Sequence, residues 1–250
     1  MLRRAVAVAV ALSALVALPV PDAPASAAPC EAMDFDGSPF TVCRFDLRDY
    51  ELRLFWQDAD GRPYAAFRNL PAEIDGAPLV FAMNAGMYHA DLSPVGLYVE
   101  DGEELSPIST RDGPGNFHLM PNGVFYVTGN EAGVRTTQAF GAASIDVDYA
   151  TQSGPMLVID GDLHPRFLPH SDSLRIRNGV GVTDPHTVVF AISEEPVNFD
   201  RFGRLFRDGL DTPNALYLDG TMSSLFAPAL NRADARRPMG PIVGVLGPAE

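Results

Sequence analysis

The segment NALYLDGTMSS, residues 214–224, joins an apolar run to a group of polar side chains. Residues 214–218 are almost continuously apolar, which is typical of a strand buried on both faces of a sheet. The polar residues that follow are Asp219, Gly220, Thr221, Ser223 and Ser224. An Asp-Gly pair favours a hairpin turn because both residues tolerate positive φ, so a simple chain reversal is the first interpretation.

Asp-Gly pairs are frequent in this chain, and most of them must be turns. They begin at Asp36, Asp60, Asp75, Asp101, Asp112, Asp160, Asp208 and Asp219. Asp219 differs because a buried strand delivers its carboxylate beside hydroxyl groups. Such an arrangement can orient a hydroxylated ligand, which an exposed hairpin has no need to do. The sequence therefore favours Asp219 as a candidate site residue.

Short apolar runs alternate with turn dipeptides along the rest of the chain, as in β-rich proteins. The predicted strands are 51–56, 79–83, 95–99, 116–120, 123–127, 155–159, 179–183, 187–192, 214–218 and 241–246. Connectors such as Asn122-Gly123 and Asp184-Pro185 predict hairpins. Helical spacing of Phe and Leu predicts a helix over 198–210, capped by Asn198, and a weaker one over 63–70. We expect an α+β fold: a single domain with a β-rich mixed or antiparallel sheet core and a few flanking helices.

The N-terminus has the pattern of a secretory signal peptide. Arg3 and Arg4 precede an apolar run, and Ala25-Ser26-Ala27 is a small-x-small cleavage motif. We predict a signal peptide over residues 1–27 and a mature domain over 28–250, exported to the periplasm or secreted. No later stretch approaches the roughly 20 apolar residues of a membrane span, so stable membrane insertion is not expected.

Cys30 and Cys43 are the chain's two cysteines. In an oxidising compartment they are expected to pair with each other. Lipid attachment at Cys30 is the alternative, but Pro29 directly before it is unfavourable for that modification.

Composition excludes several classes of function. The chain has 46% hydrophobic residues and a formal net charge of −14, and it contains no lysine. The negative charge disfavours nucleic acid and anionic lipid partners. Without lysine, phosphate binding by a P-loop and Schiff-base chemistry are excluded, so arginine must bind any substrate anion.

Three further segments place polar side chains next to predicted strands. They are NAGMY (84–88), SGP (153–155) and RNGVG (177–181). Together with LDGTMSS (218–224), they resemble in order and spacing the motifs of the phosphodiester glycosidase family, over residues 75–246. The family pattern is Asn-Gly-Gly-Tyr-Phe, Ser-Gly-Pro, Arg-Thr-Ala-Ile-Gly and Leu-Asp-Gly-Gly-Gly-Ser-Ser. Within that family, the sequence is most similar to the small exported bacterial members. It departs from the pattern at Ala85, Asn178, Gly179, Thr221 and Met222.

The resemblance implies a hydrolase that cleaves the bond between a sugar anomeric carbon and a phosphodiester. Asp219 would stabilise an oxocarbenium-like transition state or act as base or nucleophile, and Arg177 would grip the phosphate bidentately. Glu194 is the candidate second carboxylate, with an exposed acid ahead of a helix as the alternative. The other substrate-binding candidates are Asn84, Tyr88, Ser153, Asn178, Thr221 and Ser223.

The expected substrates are N-acetylglucosamine-1-phospho-type or related cell-envelope glycans. The alternative function is a non-catalytic, exported glycan-binding module with the same fold. No cofactor is predicted; pairs such as His89 with Asp91 match no known metal-site spacing, and a loop carboxylate site for calcium stays open. The chain also lacks the Gly-x-Ser-x-Gly elbow of serine hydrolases.

Overall fold

The computed structural model describes residues 29–220, 222–235 and 237–249. The predicted signal peptide, residues 1–27, lies outside this part of the chain, and so does Thr221. The strands of the described residues are β1 Cys30–Phe35, β2 Ser38–Asp46, β3 Glu51–Phe55, β4 Glu73–Ile74, β5 Ala77–Asn84, β6 Tyr98–Glu100, β7 Glu103–Ser106, β8 Gly123–Thr128, β9 Glu131–Thr136, β10 Tyr149–Ser153, β11 Met156–Ile159, β12 Asp162–Leu163, β13 Asn178–Asp184, β14 Thr187–Ser193, β15 Asn214–Asp219, β16 Leu225–Ala227, β17 Arg232–Ala233 and β18 Ile242–Leu246.

The strands form three antiparallel sheets. The seven-stranded sheet has the order β1-β2-β14-β13-β15-β11-β12, and the five-stranded sheet the order β7-β6-β10-β8-β9. The six-stranded sheet has the order β17-β16-β5-β18-β3, with β4 paired to β5. Two α-helices occur in the described residues: α1, Thr137–Ala143, and α2, Phe199–Arg204. The predicted β-rich α+β class is confirmed.

A cluster of phenylalanine rings joins the three sheets. Phe190 of β14 lies at the centre, with its ring centroid 4.8 Å from that of Phe81 on β5 and 6.1 Å from that of Phe125 on β8. Phe45 of β2 packs against both Phe81 and Phe190. All four side chains are almost completely buried, so one contiguous core holds the sheets together.

The predicted helix over 198–210 is present, but it changes character along its length. The Asn198 side chain caps it by accepting a hydrogen bond from the Arg201 N–H at 2.9 Å. After α2 the chain continues as a π-helical turn, Leu205–Gly209. The predicted helix over 63–70 is reduced to a 3₁₀ turn, Phe67–Asn69, and the predicted strand over 116–120 is wrong because that segment forms a 3₁₀ turn, Asn116–His118.

Four of the Asp-Gly pairs are the expected hairpin turns. Asp and Gly both have positive φ in the pairs that link β1 to β2, β4 to β5, β6 to β7 and β11 to β12. Asp184-Pro185 begins the connection between β13 and β14, as predicted. Asn122-Gly123 does not form the predicted hairpin, because Asn122 is buried and Gly123 opens β8.

The two cysteines form a disulfide, Cys30–Cys43, between directly opposed residues of β1 and β2. Both half-cystines are buried in the main core. Within the described residues, no helix has the length and apolar character needed to cross a membrane.

The packing at Phe190 yields a stability prediction. Phe190→Ala leaves a cavity where the three sheets meet and is expected to lower the free energy of unfolding by about 3–5 kcal/mol. Leu168→Ala, at a side chain that is 68% exposed, is the control and should change it by less than about 0.5 kcal/mol. Urea unfolding followed by circular dichroism measures both values. Equal effects of the two variants would show that Phe190 does not hold the sheets together.

Candidate functional site

A reciprocal pair of buried amides lies between the seven-stranded and six-stranded sheets. Asn84 ends β5 and Asn178 begins β13, and neither side chain is exposed. The Asn178 Nδ2 group donates to the Asn84 backbone carbonyl at 2.9 Å and to the Asn84 Oδ1 at 3.2 Å. The Asn84 Nδ2 group lies 3.4 Å from the Asn178 Oδ1. This Asn84–Asn178 pair joins the ends of two strands from different sheets.

The same two amides hold the segment after β15. The Asn178 Oδ1 accepts hydrogen bonds from the Asp219 N–H at 3.0 Å and from the Ser223 hydroxyl at 3.2 Å. The Asn84 Oδ1 accepts from the Ser224 N–H at 2.9 Å. Because the two asparagines satisfy donors on both sides of the turn, they fix Asp219, Ser223 and Ser224 relative to both sheets.

A β-bulge sets the position of Asp219. Asn178 is opposite Asp219, but Gly179 is opposite Tyr217, so Leu218 is an extra residue on β15. Bulges of this kind redirect side chains next to functional sites. Neither Asp219 nor Gly220 has the positive φ of the hairpin pairs, which shows that this Asp-Gly is not a two-residue reversal.

Close packing favours glycine at position 220. A Cβ atom there would lie 2.3 Å from the Tyr217 hydroxyl oxygen, so any other residue would have to displace the buried Tyr217 side chain. The Tyr217 hydroxyl therefore lies directly against the Asp219-Gly220 segment. Ser153, at the end of β10, donates to the Leu218 carbonyl at 2.8 Å and so connects the third sheet to the same segment.

Asp219 is the most strongly perturbed carboxyl group of this cluster. Its side chain is only partly exposed, and burial raises its pKa to about 6, although the Gly220 N–H donates to its Oδ1 and favours the ionised form. Burial also raises the pKa of the Tyr88 phenol, and the Asp219 charge adds to that increase. The Tyr88 hydroxyl donates to the Pro238 carbonyl at 3.3 Å. Tyr88 and Asp219 therefore belong to one electrostatic environment.

Arg177 is almost completely buried, one residue before Asn178. Its Nε donates to the Val197 carbonyl and its Nη2 to the Ser173 carbonyl, both at 2.8 Å. Its guanidinium carbon lies 3.6 Å from the ring centroid of Phe199. Burial lowers the pKa of this guanidinium, but an arginine in this setting stays charged.

The Nη1 atom of Arg177 is buried and has no hydrogen-bond partner of good geometry among the described residues. A bidentate grip needs two N–H groups along one edge of the guanidinium, and the Nε and Nη2 groups, which form one such edge, already donate to backbone carbonyls. In this conformation the guanidinium is thus a fixed positive charge beneath the site. It is not an exposed group that is free to bind an anion bidentately.

Glu194 lies in a separate group of charged residues. Its Oε1 accepts hydrogen bonds from the Thr41 hydroxyl at 2.6 Å and from the Arg232 Nη1 at 2.5 Å. Arg232 also forms an ion pair with Asp234 at 3.0 Å. None of these contacts includes Asp219, so the structure does not bring the two candidate carboxylates into contact. The catalytic role of Glu194 stays a prediction.

The structure thus gathers seven of the sequence-predicted site residues around the end of β15. They are Asn84, Tyr88, Ser153, Arg177, Asn178, Asp219 and Ser223. The predicted contact of Thr221 lies outside the described residues. Sequence reasoning missed Tyr217 and Phe199, which pattern analysis assigned to apolar packing. Tyr217 could have been identified from the sequence, because its hydroxyl lies only two residues before Asp219.

Ala85, one of the departures from the family pattern, is fully buried, and its N–H donates to the Pro241 carbonyl. The bulkier residue is therefore accommodated within the core. In the described part of the chain, no three His, Cys, Asp or Glu side chains converge as a metal site requires.

The fold and the cluster define a class: a β-rich protein of three antiparallel sheets that carries a half-buried carboxyl group among amides and hydroxyls. The profile of the phosphodiester glycosidase family matches residues 77–246. The chain therefore belongs to the phosphodiester glycosidase family, which is a family of hydrolases.

Relatives and solved structures agree with this assignment. The protein YigE of Escherichia coli (strain K12) is 38% identical over 176 residues, which cover 70% of this chain and 69% of YigE. The catalytic domain of zebrafish N-acetylglucosamine-1-phosphodiester alpha-N-acetylglucosaminidase, auto-inhibited by its pro-peptide, superposes with a TM-score of 0.56 at 12% identity, covering 86% of this chain and 81% of that one. A protein from Synechocystis superposes with a TM-score of 0.55 at 14% identity, covering 87% of this chain and 61% of that one. At these identities the two structural similarities concern the fold alone.

The raised pKa of Asp219 yields a prediction about stability. Because its folded-state pKa of about 6 exceeds the unfolded value near 3.8, the folded state holds the proton more tightly. Stability is therefore lost as pH rises through this interval and the buried carboxyl ionises. Asp219→Asn stays neutral and should be more stable than wild type at neutral pH by about 1–3 kcal/mol.

Urea unfolding at neutral pH and again near pH 4 measures this difference. The stability advantage of Asp219→Asn is expected to vanish at the acidic pH, where wild-type Asp219 is protonated too. Asp160→Asn, in the exposed hairpin turn between β11 and β12, serves as the control with the same chemical change. An advantage of Asp219→Asn that is independent of pH would contradict the assigned pKa.

Proposed function

We propose that the protein is an exported glycoside hydrolase that cleaves the bond between a sugar anomeric carbon and a phosphodiester. N-acetylglucosamine-1-phospho-type or related envelope glycans are the substrates that we infer. The observation that supports the proposal is the half-buried Asp219 carboxyl at the meeting point of three strand ends, with a buried arginine close by. Family membership supports the reaction class, and the site supports the chemistry.

The chemistry follows from the nature of the leaving group. A phosphodiester departs readily from an anomeric carbon, so protonation of the leaving oxygen matters less than in an ordinary glycoside. The main task is to stabilise the positive charge that develops on the sugar ring. An ionised Asp219 does this as an electrostatic partner, base or nucleophile. Its low-dielectric surroundings strengthen the interaction with the developing charge.

The remaining polar groups of the cluster have supporting roles. The side chains of Asn84 and Asn178 already form hydrogen bonds within the protein, so they position Asp219 and the serines. Tyr88 faces the same electrostatic environment and is the better candidate for direct contact with a sugar hydroxyl. Arg177 supplies the positive charge that attracts a phosphodiester to a chain whose net charge is −14.

Export is part of the same proposal. The N-terminal pattern of residues 1–27 supports it, and so does the Cys30–Cys43 disulfide, since such bonds persist in oxidising compartments. The periplasm or the extracellular medium would then bring the protein into contact with envelope glycans.

The catalytic role of Asp219 predicts a large loss of activity on substitution. Asp219→Asn should lower kcat for hydrolysis of methyl N-acetylglucosamine-1-phosphodiester by about 10²- to 10⁴-fold while the substrate dissociation constant changes little. Asp160→Asn is again the control and should keep wild-type turnover. Release of N-acetylglucosamine, followed by chromatography, measures the rate. If wild type binds the diester without cleaving it, the protein is a glycan-binding module and the hydrolase proposal is wrong.

The pH dependence of turnover tests the protonation state. Because the ionised carboxylate is the active form, kcat/KM should fall about tenfold per pH unit below the pKa of about 6. A steady-state pH profile of the wild-type enzyme measures this. A rate that instead rises as pH falls through this range would show that protonated Asp219 acts as an acid, against its proposed role as a carboxylate.

A further inference from the structure

The Tyr217 hydroxyl has a position that the proposed reaction can use. We propose that Tyr217 is a substrate-contacting residue whose hydroxyl donates a hydrogen bond to a phosphate oxygen of the substrate, with Arg177 fixed behind it as a positioning residue. This inference rests on the proposed function and adds a specific group for the phosphate half of the substrate.

The position of the hydroxyl is set by the backbone. Tyr217 lies on β15, the strand that ends in Asp219. The hydroxyl oxygen lies so close to Gly220 that a Cβ there would be 2.3 Å away. Burial raises the pKa of the Tyr217 phenol, and the Asp219 charge adds to this increase. The hydroxyl is thus adjacent to the carboxyl group to which we assign the sugar half of the substrate.

Arg177 packs beside the aromatic ring of Tyr217 and is held in place. His164, Phe167 and Phe199 form an aromatic column, with ring centroids 4.8 Å and 5.1 Å apart. The guanidinium of Arg177 stacks on the end of this column, 3.6 Å from the Phe199 centroid, and lies 5.4 Å from the Tyr217 centroid. Two backbone carbonyls hold it in this plane.

Arg177 therefore acts on the substrate phosphate through Tyr217. The Nη1 atom of Arg177 is buried and the guanidinium packs on the Phe199 and Tyr217 rings, so its charge acts on an incoming anion without direct contact. The positive charge of Arg177 acts on the phenol electrostatically, since it opposes the rise in the Tyr217 pKa that burial causes. A phenolic O–H is a hydrogen-bond donor, so it can point its proton at an acceptor. Burial keeps the phenol protonated, so that proton is available.

A phosphate oxygen suits this donor better than a neutral sugar hydroxyl. Arg177 is the positively charged group that acts on the phenol, and it makes the surroundings of the hydroxyl favourable for an anion. Hydrogen bonds to charged acceptors are also roughly twice as strong as those to neutral ones. The phosphate would then lie on the Arg177 side of the site and the anomeric carbon on the Asp219 side.

The test measures binding of methyl phosphate, the phosphate fragment that hydrolysis of a methyl phosphodiester releases. Isothermal titration calorimetry with the full mature protein compares wild type with Tyr217→Phe. Loss of one hydrogen bond to a charged group should weaken binding by roughly tenfold to a hundredfold. Tyr126→Phe is the matched control, because Tyr126 is another tyrosine beside an arginine, with its hydroxyl accepting a hydrogen bond from the Arg135 Nε at 3.1 Å, but it lies in β8. The control should bind methyl phosphate like wild type.

Arg177→Met tests the positioning role. It should weaken methyl phosphate binding about as much as Tyr217→Phe, and the double variant should lose little more than either single variant. Additive losses would show that Arg177 contacts the anion directly. Urea unfolding of each variant accompanies the titrations, and the comparison uses the variants that fold as wild type does.

A second substrate separates failure of this inference from failure of the proposed function. With methyl N-acetylglucosamine-1-phosphodiester, Tyr217→Phe should lower kcat/KM, whereas an aryl N-acetylglucosaminide that lacks phosphate should show no selective loss. Equal losses on both substrates, or unchanged methyl phosphate affinity in Tyr217→Phe, would overturn the inference. If wild type binds methyl phosphate through Tyr217 but cleaves neither substrate, the phosphate contact stands and the hydrolase proposal fails.

Discussion

The Asn84–Asn178 pair is the interaction on which the rest of the site depends. Two buried side-chain amides bond to each other and to the backbone N–H groups of Asp219 and Ser224, so each strand end is held by the others. Buried hydrogen-bonded networks of this kind rigidify a structure, and an incomplete one costs the desolvation of each unpaired group. The pair therefore ties the position of Asp219 to the packing of two sheets, which in turn meet at the Phe190 core. A site at strand ends gains its precision from this coupling, since a change in sheet packing would shift the carboxyl.

Much of the fold and part of the site follow from the sequence. The apolar runs predict most of the central strands, because residues buried on both faces leave a continuous hydrophobic signal. The helix over 198–210 follows from its Asn198 cap and its periodic aromatic residues.

The strand predicted over 116–120 fails because Phe117 is buried from a loop, and a single buried aromatic in a short run does not distinguish a strand from a turn. Motif order brings Asn84, Arg177, Asn178 and Asp219 together correctly, but no local pattern reports that Arg177 is enclosed by aromatic rings or that Glu194 pairs with Arg232. Those are long-range contacts between segments that the sequence leaves independent.

The charged groups of the site lower the stability of the folded state, and a purely structural turn would have no reason to include them. A half-buried carboxyl with a raised pKa and a buried guanidinium whose Nη1 has no hydrogen-bond partner in the described part of the chain both oppose folding near neutral pH. Such features persist at functional sites and are compensated elsewhere, in this protein by the aromatic core and by the tight antiparallel pairing of the three sheets. Both charged groups, Asp219 and Arg177, act on Tyr217, which suits the proposed substrate with a developing positive charge at one atom and an anionic group at the next. The four exposed Asp-Gly hairpins have no such cost to stability, and this difference distinguishes the Asp219 segment from them.

The most direct test of the central claim is a double-mutant cycle on Asn84 and Asn178. The free energy of unfolding is measured for wild type, Asn84→Ala, Asn178→Ala and the double variant. If the two amides act as one unit, each single variant leaves a buried amide unpaired, and the double variant should lose less than the sum by at least about 1.5 kcal/mol. Losses that add to within about 0.5 kcal/mol would show that the two amides are energetically independent and do not jointly fix the position of Asp219.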